Sequence, residues 1–191
     1  MSKGLLNLKF LMVGIVLGIA WPCARPAQAG PIEFSLGFSY NKSKYEDGSY
    51  NWSRRWGSSL GYHFFEKSEV EFAIQDVLER NYVTGYEDTT FHDQIYSLNW
   101  VQSLLGSDQP FQPYAKLGIG QLNRDASGGY ANGLSTPRLV DSVTGVLGLG
   151  ARIYITRTFA IRTEATTYLT GGMLGSWKDN LAVTFGLSFL Y

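Results

Sequence analysis

Little in this sequence points to an ordinary water-soluble domain. It has one cysteine, Cys23, and that lies in the N-terminal stretch set apart below, so the remaining chain has no thiols for a disulfide framework. Sixteen basic and sixteen acidic residues cancel, which leaves no basic field for nucleic acid and no acidic tail. Charged residues make up 17% of the chain, against roughly 25% in typical soluble domains. After residue 30 there is no long uninterrupted apolar run, so no transmembrane helix is expected. What is abundant is aromatic side chains, at 15%, and 22 glycines, a balance suited to many strands joined by turns.

The N-terminus has the layout of a secretory signal peptide. Lys3 and Lys9 precede the apolar run "FLMVGIVLGIA", and Ala27-Gln28-Ala29 places small residues where a signal peptidase inspects the chain. The run is shorter than the roughly 20 residues needed to span a bilayer. Cleavage after Ala29 is expected, giving a signal peptide over 1–29 and one domain over 30–191. The proline before Cys23 argues against a lipid-modified cysteine. Removing Lys3, Lys9 and Arg25 leaves 13 basic residues against 16 acidic, a formal charge of −3.

The domain alternates throughout. In "PIEFSLGFSY", Ile32, Phe34, Leu36, Phe38 and Tyr40 share one face, with Glu33, Ser35, Gly37 and Ser39 on the other, because side chains on a strand repeat every two residues. The same rule holds in "WSRRWGSSLGYHFF", where Arg54 and Ser58 interrupt the apolar face, and in "EVEFAIQ", "HDQIYSLNW", "PYAKLGIGQ", "DSVTGVLGLGARIY" and "TFAIRTEATTY". A closing strand from about Asn180 to Tyr191 makes eight. Connections alternate between short ("EKS", "LGSDQP", "TRT") and long ("NKSKYEDGSY", "NYVTGYEDTTF", "NRDASGGYANGLSTPR", "LTGGMLGSWKDN"), the asymmetry of a membrane-spanning meander.

Alternation alone admits two barrels: a soluble one with apolar residues inside, or a membrane one with them outside. Side-chain size favours the second. The polar faces are rich in Gly, Ser and Thr, which fit the narrow interior of eight strands, while the apolar faces carry too many rings to share it. Trp52, Trp56, Trp100, Phe111, Tyr154, Phe159, Tyr168 and Tyr191 lie near strand ends, where an interfacial girdle is expected. The expected fold is all-β: an eight-stranded antiparallel up-and-down transmembrane β-barrel. Both termini would lie in the periplasm, and the last strand would pair with the first, because lipid offers no partner to a free backbone edge.

The closing "TFGLSFLY" resembles the C-terminal assembly signal of bacterial outer-membrane proteins, with Thr184, Gly186, Phe189 and Tyr191 at its positions. With "QPYAKLGIG" and "GLGARIYITRTFAIRTEA", the chain resembles the small outer-membrane β-barrel domain family, which includes the transmembrane domain of outer membrane protein A and outer membrane protein X. The resemblance implies the outer membrane of a Gram-negative cell envelope, with outer-membrane lipid and lipopolysaccharide as surroundings and the barrel assembly machinery as a partner. It specifies no function. A monomer is expected.

Ionisable residues on the inward faces are the first functional candidates: Glu33, Arg55, Glu69, Glu71, Lys116, Arg152, Arg162 and Glu164. Charges removed from water pair with one another, so they predict a salt-bridge network plugging the lumen, or a gate whose pairs exchange. Lipid A-modifying barrels make catalysis an alternative, but a nucleophilic triad needs a histidine beside a serine. His63, in "GYHFFEKS", lacks the His–x–Ser spacing of the deacylases, and His92, beside Asp93, has no serine before Ser97. Glu87, Asp88, His92 and Asp93 form an acidic stretch read as a solvated loop rather than a metal site. Gly145, Gly148 and Gly150 read as small interior residues, not a nucleotide site, since no helix follows. No cofactor is expected. The favoured function is non-enzymatic, a structural or surface-interaction role through external loops with Tyr45, Tyr50, Tyr86, Tyr130 and Trp177 as contacts. A narrow pore is the alternative and a lipid A-modifying enzyme the third.

Overall fold

A computed structural model describes residues 31–106, 109–130, 139–170 and 181–191, the side chains of residues 139, 140 and 170 excepted. The expected signal peptide and Trp177 lie outside these residues. Eight strands follow in order: β1 (Ile32–Lys44), β2 (Tyr50–Phe65), β3 (Ser68–Val83), β4 (Glu87–Ser103), β5 (Phe111–Tyr130), β6 (Leu139–Tyr154), β7 (Phe159–Thr170) and β8 (Leu181–Leu190). Each pairs antiparallel with its neighbour, and β8 closes on β1 from Phe38↔Phe185 to Glu33↔Leu190. The amide and carbonyl of Ile32 are also hydrogen-bonded to those of Tyr191, at 3.2 and 2.9 Å, so the ladder runs to the last residue.

The two faces show that the barrel is a membrane barrel. Leu149 and Phe185 are each 66% exposed on the outside, whereas Arg152 and Glu71 are 0% exposed inside. A soluble barrel would reverse both; lipid inverts the rule because the solvent outside is apolar.

The strands are unequal. β5 spans 20 residues and β4 17, while β7 spans 12 and β8 10. At the end away from the chain termini, two connections expected to be long are half or more strand. Lys44 still pairs with Tyr50, and Val83 with Glu87. Only tight turns remain, at 45–49 and 84–86, where Gly48 (φ 85°) and Gly85 (φ 72°) take the left-handed backbone that other residues resist. On this tall wall the outward apolar band gives way to exposed Arg54, His92 and Gln94 and half-buried Asp76, whereas β8 stays apolar up to Leu181.

Two rings expected in the outer girdle turn inward instead. Tyr154 and Tyr168 are each 3% exposed and lie within the barrel, because strand parity outranks proximity to a strand end. Trp56, Trp100, Phe111 and Tyr191 are exposed on the outside as the girdle requires. Gly145 also faces out, paired with Leu169, while Gly148 and Gly150 face in.

Candidate functional site

The lumen is built in layers, counted from the end where the termini meet. Tyr154, Ala160 and Leu190 form an apolar floor, with the Tyr154 hydroxyl donating to Gln112 at 3.2 Å. Above it small inward residues such as Ser35, Gly37, Gly57, Ser59 and Gly186 leave space, and charged side chains from β1, β3, β5, β6 and β7 reach into it.

Seven of the eight expected lumen residues meet there. Arg152 donates from Nε to Glu33 Oε1 at 3.0 Å and from Nη2 to Glu69. Arg162 Nη2 lies 2.7 Å from both Glu71 and Glu164. Lys116 Nζ joins the same two carboxylates at 2.7 and 2.8 Å. These are charge-assisted bonds in a water-poor interior, where an unpaired charge is costly. Four carboxylates thus face three fixed cations, and His63 is the eighth titratable member, with Nε2 3.1 Å from Glu33 and 3.8 Å from Glu69.

Tyr114 binds the two guanidiniums together. Its ring centre lies 4.7 Å from Arg152 and 5.1 Å from Arg162, its hydroxyl accepts from Arg162 Nε at 2.7 Å, and it donates to Glu164 at 2.7 Å. A side chain at Gly150 would overlap that ring, and one at Gly61 would overlap the Glu69 carboxylate, so both glycines make room for the network. The cavity left beside Ser59, Glu71, Lys116 and Arg162 is about 50 Å³, room for a few waters.

Arg55, the eighth expected member, does not join. It donates to Gln75 at 3.3 Å and lies over the Tyr168 ring at 5.1 Å. Beside it lies an apolar cluster from β3 to β7, Val77, Ile95, Leu122, Val146 and Tyr168, all buried, while on the other side of the lumen Arg55 lines the same small cavity as Glu71, Lys116 and Arg162. A wider cavity, which Arg55 also lines, contains Arg124 gripping Asp93 through two bonds of 2.7 and 2.6 Å.

Sequence reasoning passed over Tyr114 and the apolar layer. The signal was present: each is a bulky residue on a face otherwise made of small or polar ones, as with Val146 among Thr144, Gly148 and Gly150. Serines were also underrated, since Ser35 accepts from Arg162 at 3.2 Å and meets Ser188 at 2.8 Å across the β1–β8 seam.

Neither histidine is hydrogen-bonded to a serine hydroxyl among the described residues. His63 faces Glu33 and Glu69, and His92 sits on the outer face with Nε2 2.6 Å from Asp76. The acidic stretch is dispersed by the pleat: Asp88 pairs outward with Arg80 at 3.0 Å and Asp93 pairs inward with Arg124. Glu33, His63 and Glu69 bring ligand-type atoms within 4.8 Å of one another, but Arg152 already bonds both carboxylates and its charge opposes a metal ion there. In the C-terminal stretch Thr184 and Gly186 face inward, and Gly186 packs so closely on Leu36 and Gly37 that a side chain there would clash with their backbone. Phe189 packs outward against Phe159 at 5.3 Å.

A sequence model described as the outer membrane protein beta-barrel domain matches residues 14–189. The fold is similar to the N-terminal β-barrel domain of OprF from Pseudomonas aeruginosa, at a TM-score of 0.58 and 13% identity over 86% of this chain and 100% of that one. It is similar to Ail, the attachment invasion locus protein of Yersinia pestis, at 0.53 and 14% identity with the same coverage. It is also similar to Neisserial surface protein A, at 0.50 and 15% identity over 84% of this chain and 96% of that one. No curated protein sequence matches the chain.

Proposed function

Given that the chain belongs to the outer membrane protein beta-barrel domain family, we propose that it is a sealed, non-enzymatic barrel of the Gram-negative outer membrane, acting through the surface its tall hairpins raise. It is exported with a signal peptide cleaved after Ala29, inserted as a monomer by the barrel assembly machinery, and set with its termini in the periplasm and its tall wall among lipopolysaccharide. The observation that carries this reading is the ionic plug: seven buried charged side chains pair with one another across the lumen, and an apolar cluster fills the β3–β7 side beside them. A protein built to conduct would need polar groups that leave a path, whereas here the buried cations are spent on carboxylates. The raised hairpins, with Tyr45 61% exposed, Tyr86 52% exposed and Tyr130 against Tyr86 at 6.0 Å, support a surface role. Ail and Neisserial surface protein A carry attachment and surface in their names, and the likeness to them is one of fold.

The test is single-channel conductance of refolded protein in a planar bilayer, beside Arg162→Ala. Silence from the wild type is expected, and silence from the variant too, since Arg152 and Lys116 still hold their carboxylates across the lumen. Discrete steps from the wild type that change in the variant would replace this reading with a narrow pore gated by exchanging pairs.

A further inference from the structure

Above the apolar band the outer wall changes charge from one side to the other. Phe38 and Trp56, ring centres 4.5 Å apart, close the band on β1 and β2. One pleat step higher, Arg54 lies between Tyr40 and Leu78. The next step sets Lys42, Trp52 and Arg80 side by side, and the next Lys44, Tyr50 and Tyr82. Each step climbs about 5 Å along the membrane normal once strand tilt is allowed for, so these rows stand at headgroup depth. Followed by register onto β4–β6, the same rows carry outward Asp88, Asp125 and Asp141 and, among the described side chains, no lysine or arginine.

The cations of β1–β3 keep a surplus. The carboxylates that border them are engaged: Asp88 takes two bonds of 3.0 Å from Arg80, and Asp76 lies 2.6 Å from His92. Lys42, Lys44 and Arg54 have no carboxylate within ion-pair distance among the described residues. The β1–β2 turn also sorts its charges. Glu46 and Asp47 line a hollow toward the mouth with Asn51, Asn81 and Glu87. The hollow against Lys42 and Lys44, about 420 Å³, has Tyr45 and Tyr50 in its wall and no carboxylate.

The patch is also held in shape. The Tyr50 ring stacks on Tyr82 at 5.1 Å and lies 5.9 Å from both Lys42 and Arg80. Arg80 uses Nε and Nη2 on Asp88, which leaves Nη1 open to a ligand. Arg54 is the diagonal neighbour of both Lys42 and Arg80, close enough for long side chains to meet on one group between them.

We propose that the outer face of β1–β3 docks a phosphorylated lipid headgroup of the outer leaflet, its phosphate among Lys42, Arg54 and Arg80 and its acyl chains on the band below, along Phe38 and Trp56. The unpaired cations repel one another, and a phosphate between them turns repulsion into charge-assisted bonds. This rests on the membrane placement given above and names what the tall wall meets there; it does not depend on the sealed lumen.

The experiment is an amide NMR titration of the folded protein in phosphatidylcholine nanodiscs with rising fractions of phosphatidic acid. Saturable shifts over residues 42–44, 50–54 and 78–82 are expected, with 121–127 and 141–143 unmoved. Arg54→Gln and Lys42→Gln should each weaken the response about fivefold, and Asp125→Asn should leave it as it is. Even shifts around the whole rim, or an unchanged response in Arg54→Gln, would overturn the proposal. Equal shifts from inorganic phosphate or from a polyglutamate peptide would overturn it too, in favour of a soluble anion or an acidic protein segment. A lipid spin-labelled on its acyl chain should quench the amides of Leu149 and Phe185, which tests the membrane placement by itself. Quenching there without a phosphatidic acid response sinks the docking surface alone.

Discussion

The two layers inside the lumen fill it by opposite physics. The ionic layer, around Arg152 and Arg162, holds every charge by at least one opposite charge and pays desolvation for each. The apolar layer, around Val146 and Tyr168, needs no partners and excludes water by contact alone. The first is brittle, because each member leaves a stranded charge behind when removed. The second is forgiving, because a lost methyl leaves only a small gap.

The largest effect should come from the brittle layer. Arg152→Ala strands Glu33 and Glu69 together, and a loss of about 3–5 kcal/mol is expected in urea unfolding of the refolded barrel. If the loss stays below about 1 kcal/mol, water already shares that charge and the layers do not differ as described. Next comes Val146→Ala in the apolar layer, buried at 1% exposure; a cost of roughly 1–2 kcal/mol is expected, with conductance still silent because the ionic layer remains. A cost equal to that of Arg152→Ala would erase the contrast.

The smallest effect lies outside both layers, in the β1–β2 turn. The backbone amide and hydroxyl of Ser49, at 3.0 and 2.8 Å, hold the Asp47 carboxyl below its ordinary range. A carboxylate with a depressed pKa contributes its stability above the unfolded value, near 3.9, and loses it as pH falls from there through the folded value. Below about pH 4 the Ser49 amide should exchange faster with solvent while amides in the ionic layer stay protected. Simultaneous loss in both places would mean that the turn and the barrel unfold as one unit.

Much of this architecture is legible because the strand period is strict. Eight alternating segments identified eight strands, and parity alone placed Glu71, Lys116 and Arg162 inside. Legibility fails where both faces become polar. Asn41 to Tyr50 and Asn81 to Phe91 read as loops because, above the apolar band, inward Asn51 and outward Lys42 look alike; the backbone pairs there regardless. It fails again for Tyr154 and Tyr168, whose rings suited a girdle by position but whose parity sends them inside.

The sequence by itself determined which side chains face in and which face out, since a period of two is a local property of any strand. Only the tertiary structure decided who meets whom. Arg152 and Glu33 are 119 residues apart, and Arg162 reaches Ser35 across 127. Those meetings depend on closure and on the register of every strand between, and a slip of one residue would turn each charge to lipid. The same holds for Arg55, which shares its inward parity with the network yet stands apart from it, because height along the tilted strands is set by the barrel rather than by the neighbours in the chain.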